Sequence, residues 1–179
     1  MGTRDRERTV IEAVLDGVGH GSTRGLLLTG EPGIGRTTLL DHARRQAAAR
    51  GWLVLAAAGD PAGSEHPFDA LGVLVRHAIA ADASLADRLS SALEVALGVE
   101  RGRAEPTAIR AAVVRLLTDA ASTRPVLLAL DDVQWFDGSS ISALACAHRH
   151  LAAEPVVTVA TTLAGDEAVE RAWGRVLTP

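Results

Sequence analysis

The sequence predicts an α/β fold: a mostly parallel sheet of at least four strands with helices on both faces. Three observations lead there. Short apolar runs of strand type recur along the chain, segments with apolar residues at helical spacing alternate with them, and the first strand passes through a glycine-rich turn directly into a helix. Composition agrees. The 179 residues are 47% hydrophobic and 22% charged, which suits one folded domain with a sizeable core and is too short for two ordinary ones.

The elements follow in order. After the charged start MGTRDRERTV, the spacing of Val10, Ile11, Val14, Leu15 and Val18 predicts a helix that Gly19 to Ser22 ends. Gly25 to Gly30 (GLLLTG) is a short apolar strand, and Arg36 to Arg50 is helical, closed by Gly51. Trp52 to Gly59 predicts a second strand, so that strand, loop, helix and strand begin a right-handed parallel unit. The middle is helical: Leu71, Leu74, Val75, Ala78 and Ile79 form one stripe, Leu85, Leu89, Ala92, Leu93, Ala96 and Leu97 a second, and Ile109, Val113, Leu116, Leu117 and Ala120 a third. Pro125 to Asp132 (PVLLALDD) is the strongest strand and ends in two carboxylates. Ser139 to His150 should be helical, Val156 to Thr162 a fourth strand, and a last helix from near Asp166 carries Ala168, Val169, Ala172, Trp173 and Val176. No fifth strand is visible, so residues 1–179 are expected to form a single domain truncated before one. That would leave backbone groups exposed at a sheet edge, beside the fourth or the first strand, where other protomers could pair.

Several function classes are excluded. The net charge of −4 offers no long-range attraction for nucleic acid, so no direct contact with DNA or RNA is expected of this segment. No apolar run approaches the roughly 20 residues that cross a bilayer, and the expected location is the cytoplasm. The MGTR start resembles a myristoylation signal, but Asp5 and Arg6 stand where a small hydroxyl residue is needed. Cys146 is the single cysteine and reads as core; the six histidines have no metal-ligand spacing. Ser139 and Ser140 read as a helix start, because no strand-turn elbow surrounds them.

The chemistry concentrates in GEPGIGRTTL, Gly30 to Leu39. A glycine-rich turn between a buried strand and a helix points successive backbone N–H groups into one concavity, where the helix N-terminus favours phosphate. Gly30, Glu31, Pro32, Gly33, Ile34 and Gly35 make that turn, and the segment matches G-x-x-x-x-G-K-[ST] except that Arg36 replaces lysine. All 18 basic residues are arginine, so composition accounts for the exchange without making the two side chains equivalent. Thr37 is the expected Mg²⁺ ligand, and Thr38 reaches a phosphate or caps the helix. Asp131 at the end of the acidic strand is the second expected metal ligand, Asp132 the group that orients water, and Asp137 a helix cap.

GEPGIGRTTLL together with VLLALDDVQWFDGSS resembles the P-loop ATPase module of the STAND/AAA-type signal-transduction ATPases, in particular the one at the N-terminus of large LuxR-family, maltose-regulator-like bacterial transcriptional regulators. The resemblance covers essentially the whole chain and implies a P-loop NTPase three-layer sandwich. It also implies ATP or ADP with Mg²⁺ as cofactors, Arg4 and Glu7 near the adenine, and a switch acting on other protomers and on the remaining domains of the same regulator. Pro67 and Phe68, and the Asp131, Asp132, Trp135, Asp137 signature, fit the family pattern.

Two positions depart from it. Arg36 keeps the charge of the family lysine but is larger, planar and forked, so it either fills part of the phosphate space or swings outward. Leu163 stands where an arginine would sense the γ-phosphate. Arg36 and Asp132 are thus the candidate catalytic residues, in a site expected to bind weakly and hydrolyse little or nothing. Two further readings remain open at this level: a slow Mg²⁺-dependent ATPase, and a non-catalytic pseudo-ATPase that serves as an interaction module.

Overall fold

The computed structural model describes residues 3–20, 24–62, 66–151 and 153–173. Its elements are α1 (Thr3–Asp16, continued by a 3-10 turn Gly17–His20), β1 (Arg24–Gly30), α2 (Arg36–Ala49), β2 (Leu53–Ala58) and α3 (Asp69–Ala81). A 3-10 turn Ala83–Arg88, α4 (Ser91–Ala96), α5 (Pro106–Ala121) and β3 (Val126–Asp131) follow. A 3-10 turn Val133–Trp135 then leads to α6 (Gly138–His150), β4 (Val156–Leu163) and α7 (Glu167–Trp173). The four strands form one sheet in the order β1-β4-β3-β2, and every pairing is parallel.

Two apolar layers sandwich the sheet. Ile11, Leu15, Leu40, Ala43 and Ala47 of α1 and α2 pack with Leu26, Leu127, Ala129, Val157 and Val159 on one face. Residues of α3, α5, α6 and α7 pack on the other with Leu55, Leu128, Leu130 and Ala160. Burial on both faces explains why β3 is a continuous apolar run rather than an alternating one. Two of the buried threonines in β4 have side-chain partners: Thr158 meets His148 Nδ1 of α6 at 3.0 Å, whereas Thr161 faces the other layer and meets Asp131. A hydrogen-bonding contact between Glu12 and His42, at 3.2 Å, and an Asp16–Arg50 ion pair, at 2.9 Å, dock α1 along α2.

The structure corrects three readings of the sequence. The stripe from Leu85 to Leu97 is a 3-10 turn followed by a short helix, because Leu89 and Ser90 are extended between them and the Asp82 carboxylate accepts the Ser84 N–H at 3.0 Å to open the first piece. Of the two strands expected beside a free edge, β4 is central, flanked by β1 and β3; the edges are β1 and β2. Cys146 is half-exposed rather than core, on the flank of α6 beside His150. Gly21 and Ser22, which were expected to end the first helix, and Val176 lie outside the described residues.

Candidate functional site

Parallel pairing brings the carboxyl ends of all four strands to one edge of the sheet, and the segment from Gly30 to Thr37 turns there from β1 into α2. The turn needs its glycines. Gly33 and Gly35 have φ of 79° and 101°, in the left-handed region that side-chain-bearing residues avoid. Gly35 is also the N-cap of α2; no side chain caps this end and its first turn holds no acidic residue, so the helix presents uncovered N–H dipoles to the turn. Glu31, Pro32, Gly33 and Ile34 are exposed along the rim, as is Thr38, which does not cap the helix.

β4 lies between the strand that feeds the turn and the strand that ends in carboxylates, yet both reach the same place. Thr37 Oγ1 donates to Asp131 Oδ1 at 3.3 Å. Thr161 of β4 ties the acidic pair together: its hydroxyl donates to Asp131 Oδ1 at 2.5 Å and accepts the Asp132 N–H at 2.7 Å. That second bond holds Asp132 at φ 48°, a left-handed kink that re-aims the chain after the strand. Thr161 was missed in the sequence. The period-two alternation of VVTVATT would have placed it on the α2 face, but nothing local says that β4 is the strand beside Asp131.

Arg36 takes the inward of the two courses open to it. Its Nη1 donates to the carbonyl oxygens of Gly30 and of Thr162, the latter at 2.6 Å, and its Nη2 donates to Asp132 Oδ1 at 3.2 Å. The Arg36 side chain is only 11% exposed, against 35% for Asp132. Gln134 Nε2 donates to the same Asp132 oxygen at 3.1 Å. Leu163 stands in register with Gly30 and brings no charge to the end of β4.

A second layer positions these groups. Asp137 caps α6, as its place before the helix predicts, accepting the Ser140 N–H at 2.7 Å. It also accepts the Phe68 and Ala70 N–H groups at 2.8 and 3.3 Å, so one carboxylate starts both α3 and α6. Phe68, with φ 69°, is held left-handed by this arrangement. Gly59 N–H donates to the Asp131 carbonyl at 2.9 Å, and a Cβ at Gly59 would strike the Asp132 carbonyl. Trp135 sits over this contact, 37% exposed, and no ligand role is needed to place it.

Beside the turn, Arg6, Glu7 and Val10 of α1, Leu26 to Thr29 of β1, and Ile34, Arg36 and Leu39 line a cavity of about 310 Å³. Arg6, which the sequence reading passed over, thus reaches the site together with Glu7. Arg4 lies in the first turn of α1 with its side chain outside the described residues. Among the described residues no three His, Cys, Asp or Glu side chains are grouped so as to hold a metal ion, and no helix is long and apolar enough to cross a membrane.

The AAA ATPase domain family matches the chain over residues 3–159. No curated protein matches it. Among solved structures it is similar to the Walker-type ATPase of Pyrococcus abyssi, with a TM-score of 0.57 and 13% identity over 97% of this chain and 48% of that one. It is also similar to the Aeropyrum pernix ORC1 protein, solved in complex with DNA, with a TM-score of 0.53 and 19% identity over 98% of this chain and 42% of that one. The chain spans less than half the length of either, and at these identities the likeness is one of fold. The family match runs from α1 into β4, through the glycine turn and both strand-end carboxylates, and the chain belongs to the AAA ATPase domain family.

Proposed function

We propose that this chain is the nucleotide-binding regulatory domain of a LuxR-type transcriptional regulator, taking ATP or ADP with Mg²⁺ and hydrolysing ATP at or near background. The observation that carries the reading is the meeting of the uncapped α2 N-terminus, Thr37 and Asp131 at one end of the sheet. The N–H groups of Gly33 to Thr38 would hold the phosphates. A hydroxyl and a carboxylate suit Mg²⁺, which keeps water and substrate phosphate oxygens as its other ligands and therefore needs no third protein ligand. When bound, the ion supplies charge neutralisation at the phosphates. The apolar wall of Val10, Leu26, Ile34 and Leu39 offers a flat base a place beside the loop, with Arg6 and Glu7 for its polar edge.

Weak turnover follows from the charges. Asp132 would orient water, but its Oδ1 is already engaged by Arg36 and Gln134. Arg36 is turned to backbone carbonyls, and Leu163 adds nothing for a γ-phosphate. Transition-state stabilisation therefore suffers more than ground-state binding. Specific DNA binding is assigned to other modules of the regulator, and coupling to them and to other protomers is the proposed output.

Calorimetric titration of the chain with ATP and ADP, with and without Mg²⁺, tests the reading alongside phosphate release. Weak, Mg²⁺-dependent binding that Asp131→Ala strips of its metal dependence and Arg36→Lys strengthens is the expected result. Turnover faster in the unmodified chain than in Arg36→Lys would favour the slow ATPase, and no binding by either would leave the interaction module. Fluorescence anisotropy at physiological salt should show no DNA sequence preference.

A further inference from the structure

We propose that the Arg36–Asp132 ion pair is a latch on the terminal-phosphate end of the loop, so that the site admits a diphosphate with the latch closed and a triphosphate only after it opens. The proposal rests on reading the loop as a phosphate cradle.

The geometry has the marks of a built contact. One guanidinium joins the end of β1 through the Gly30 carbonyl, the end of β4 through the Thr162 carbonyl at 2.6 Å, and the residue after β3 through Asp132 at 3.2 Å. The planar fork divides the work between its two terminal nitrogens, Nη1 serving the two carbonyls and Nη2 the carboxylate. Asp132 is pre-set for its half: Thr161 holds its N–H, its backbone is kinked left-handed, and Gln134 steadies the same carboxylate oxygen. The cation that a phosphate loop of this kind aims between the β- and γ-phosphates is therefore neutralised inside the protein.

The two nucleotides feel this differently. The phosphates of a diphosphate rest on the turn's N–H groups and on Mg²⁺ at Thr37 and Asp131, so that withdrawing the cation costs a diphosphate only its contact with the β-phosphate. A third phosphate adds negative charge next to Asp132 while the cation that should meet it is withdrawn. Admitting it requires Arg36 to leave Asp132 and turn toward the phosphate. The pair thus sets the choice between di- and triphosphate, and removing its anion should release the cation for the ligand.

A double-mutant cycle on the full chain tests this, with Mg²⁺-ATP and Mg²⁺-ADP affinities measured by calorimetry for the parent, Asp132→Asn, Arg36→Met and the double variant. Charge-assisted bonds of this type, discounted for the partial exposure of Asp132, predict that Asp132→Asn tightens ATP by about five- to tenfold and ADP by less than about twofold. In the Arg36→Met background the same change should alter ATP affinity by less than about twofold. An equal gain in both backgrounds would mean that Asp132 acts only by its own charge, and overturns the latch. So does an Asp132→Asn variant that binds ATP no better than the parent. Arg36→Lys separates the two failures: if it binds ATP while Asp132→Asn does not, the latch alone is wrong, and if neither binds, the nucleotide site falls with it. Should Asp132→Asn fail to fold, Asp132→Ser carries the same expectations.

Discussion

Replacing Asp137 with alanine is a sharp test of how the site is held, because a single carboxylate serves two helices. In the folded chain it accepts N–H groups from Ser140 at the start of α6 and from Phe68 and Ala70 at the start of α3. Loss of an ordinary N-cap costs about 1 kcal/mol. Stranding the Phe68 N–H, held at 2.8 Å in a part-buried setting, and the more weakly held Ala70 N–H adds about 1–2 kcal/mol, since charge-assisted bonds outweigh neutral ones. The expected total is about 2–3 kcal/mol, which for a domain of this size lowers the melting temperature by roughly 5–10 °C. Asp137→Asn keeps one carbonyl oxygen as acceptor but puts an NH₂ in place of the other, and should cost about half as much. Urea unfolding and thermal melts of the three chains measure this, with hydrogen exchange reporting on the first turns of α3 and α6. An alanine variant losing less than about 1 kcal/mol, the value of one cap, would refute the claim that both helices hang on this carboxylate.

Gly59→Ala should destabilise by about 1–3 kcal/mol and weaken nucleotide binding, because the new methyl meets the Asp132 carbonyl and lies 2.7 Å from Trp135 Cβ, neither of which can yield without moving the acidic loop; urea unfolding and Trp135 fluorescence check it. Thr162→Val should raise stability by about 1 kcal/mol, since the Thr162 hydroxyl is fully buried with no partner among the described residues while its carbonyl, which Arg36 uses, is unchanged; a loss in urea unfolding would mean that the hydroxyl is bonded. The hydroxyl and backbone N–H of Ser84 hold the Asp82 carboxyl below its ordinary value. A depressed acid stabilises the fold above its unfolded pKa and loses that contribution as pH falls through the folded one, so the Ala83–Arg88 turn should loosen on the acid side, a change that NMR titration detects and Asp82→Asn removes.

The sequence by itself determined the parts whose causes are local. Four strands, the long helices and the phosphate-type turn were legible from apolar runs, helical spacing and glycine positions, because buried parallel strands must be continuously apolar and a left-handed turn must carry glycine. The placement of Thr37 and Asp131 as a pair was legible from motif and strand end together, and their side-chain oxygens stand 3.3 Å apart. The interrupted helix at Leu89 and Ser90 was not, since Leu85 and Leu93 keep helical spacing across the break and both are buried. Tertiary structure alone decided the rest. Strand order is a matter of which edges meet, and it put β4 in the centre, which turned Thr161 into the link between the two aspartates and left β1 at the edge. Asp137 reads as the cap of the helix it precedes; its hold on α3 joins segments far apart in the chain. The direction taken by Arg36 depended in the same way on distant partners: pattern allowed an inward or an outward course, and the Thr162 carbonyl and the Asp132 carboxylate, both remote in sequence, drew the guanidinium inward because a charge withdrawn from water must be met by acceptors in the right directions.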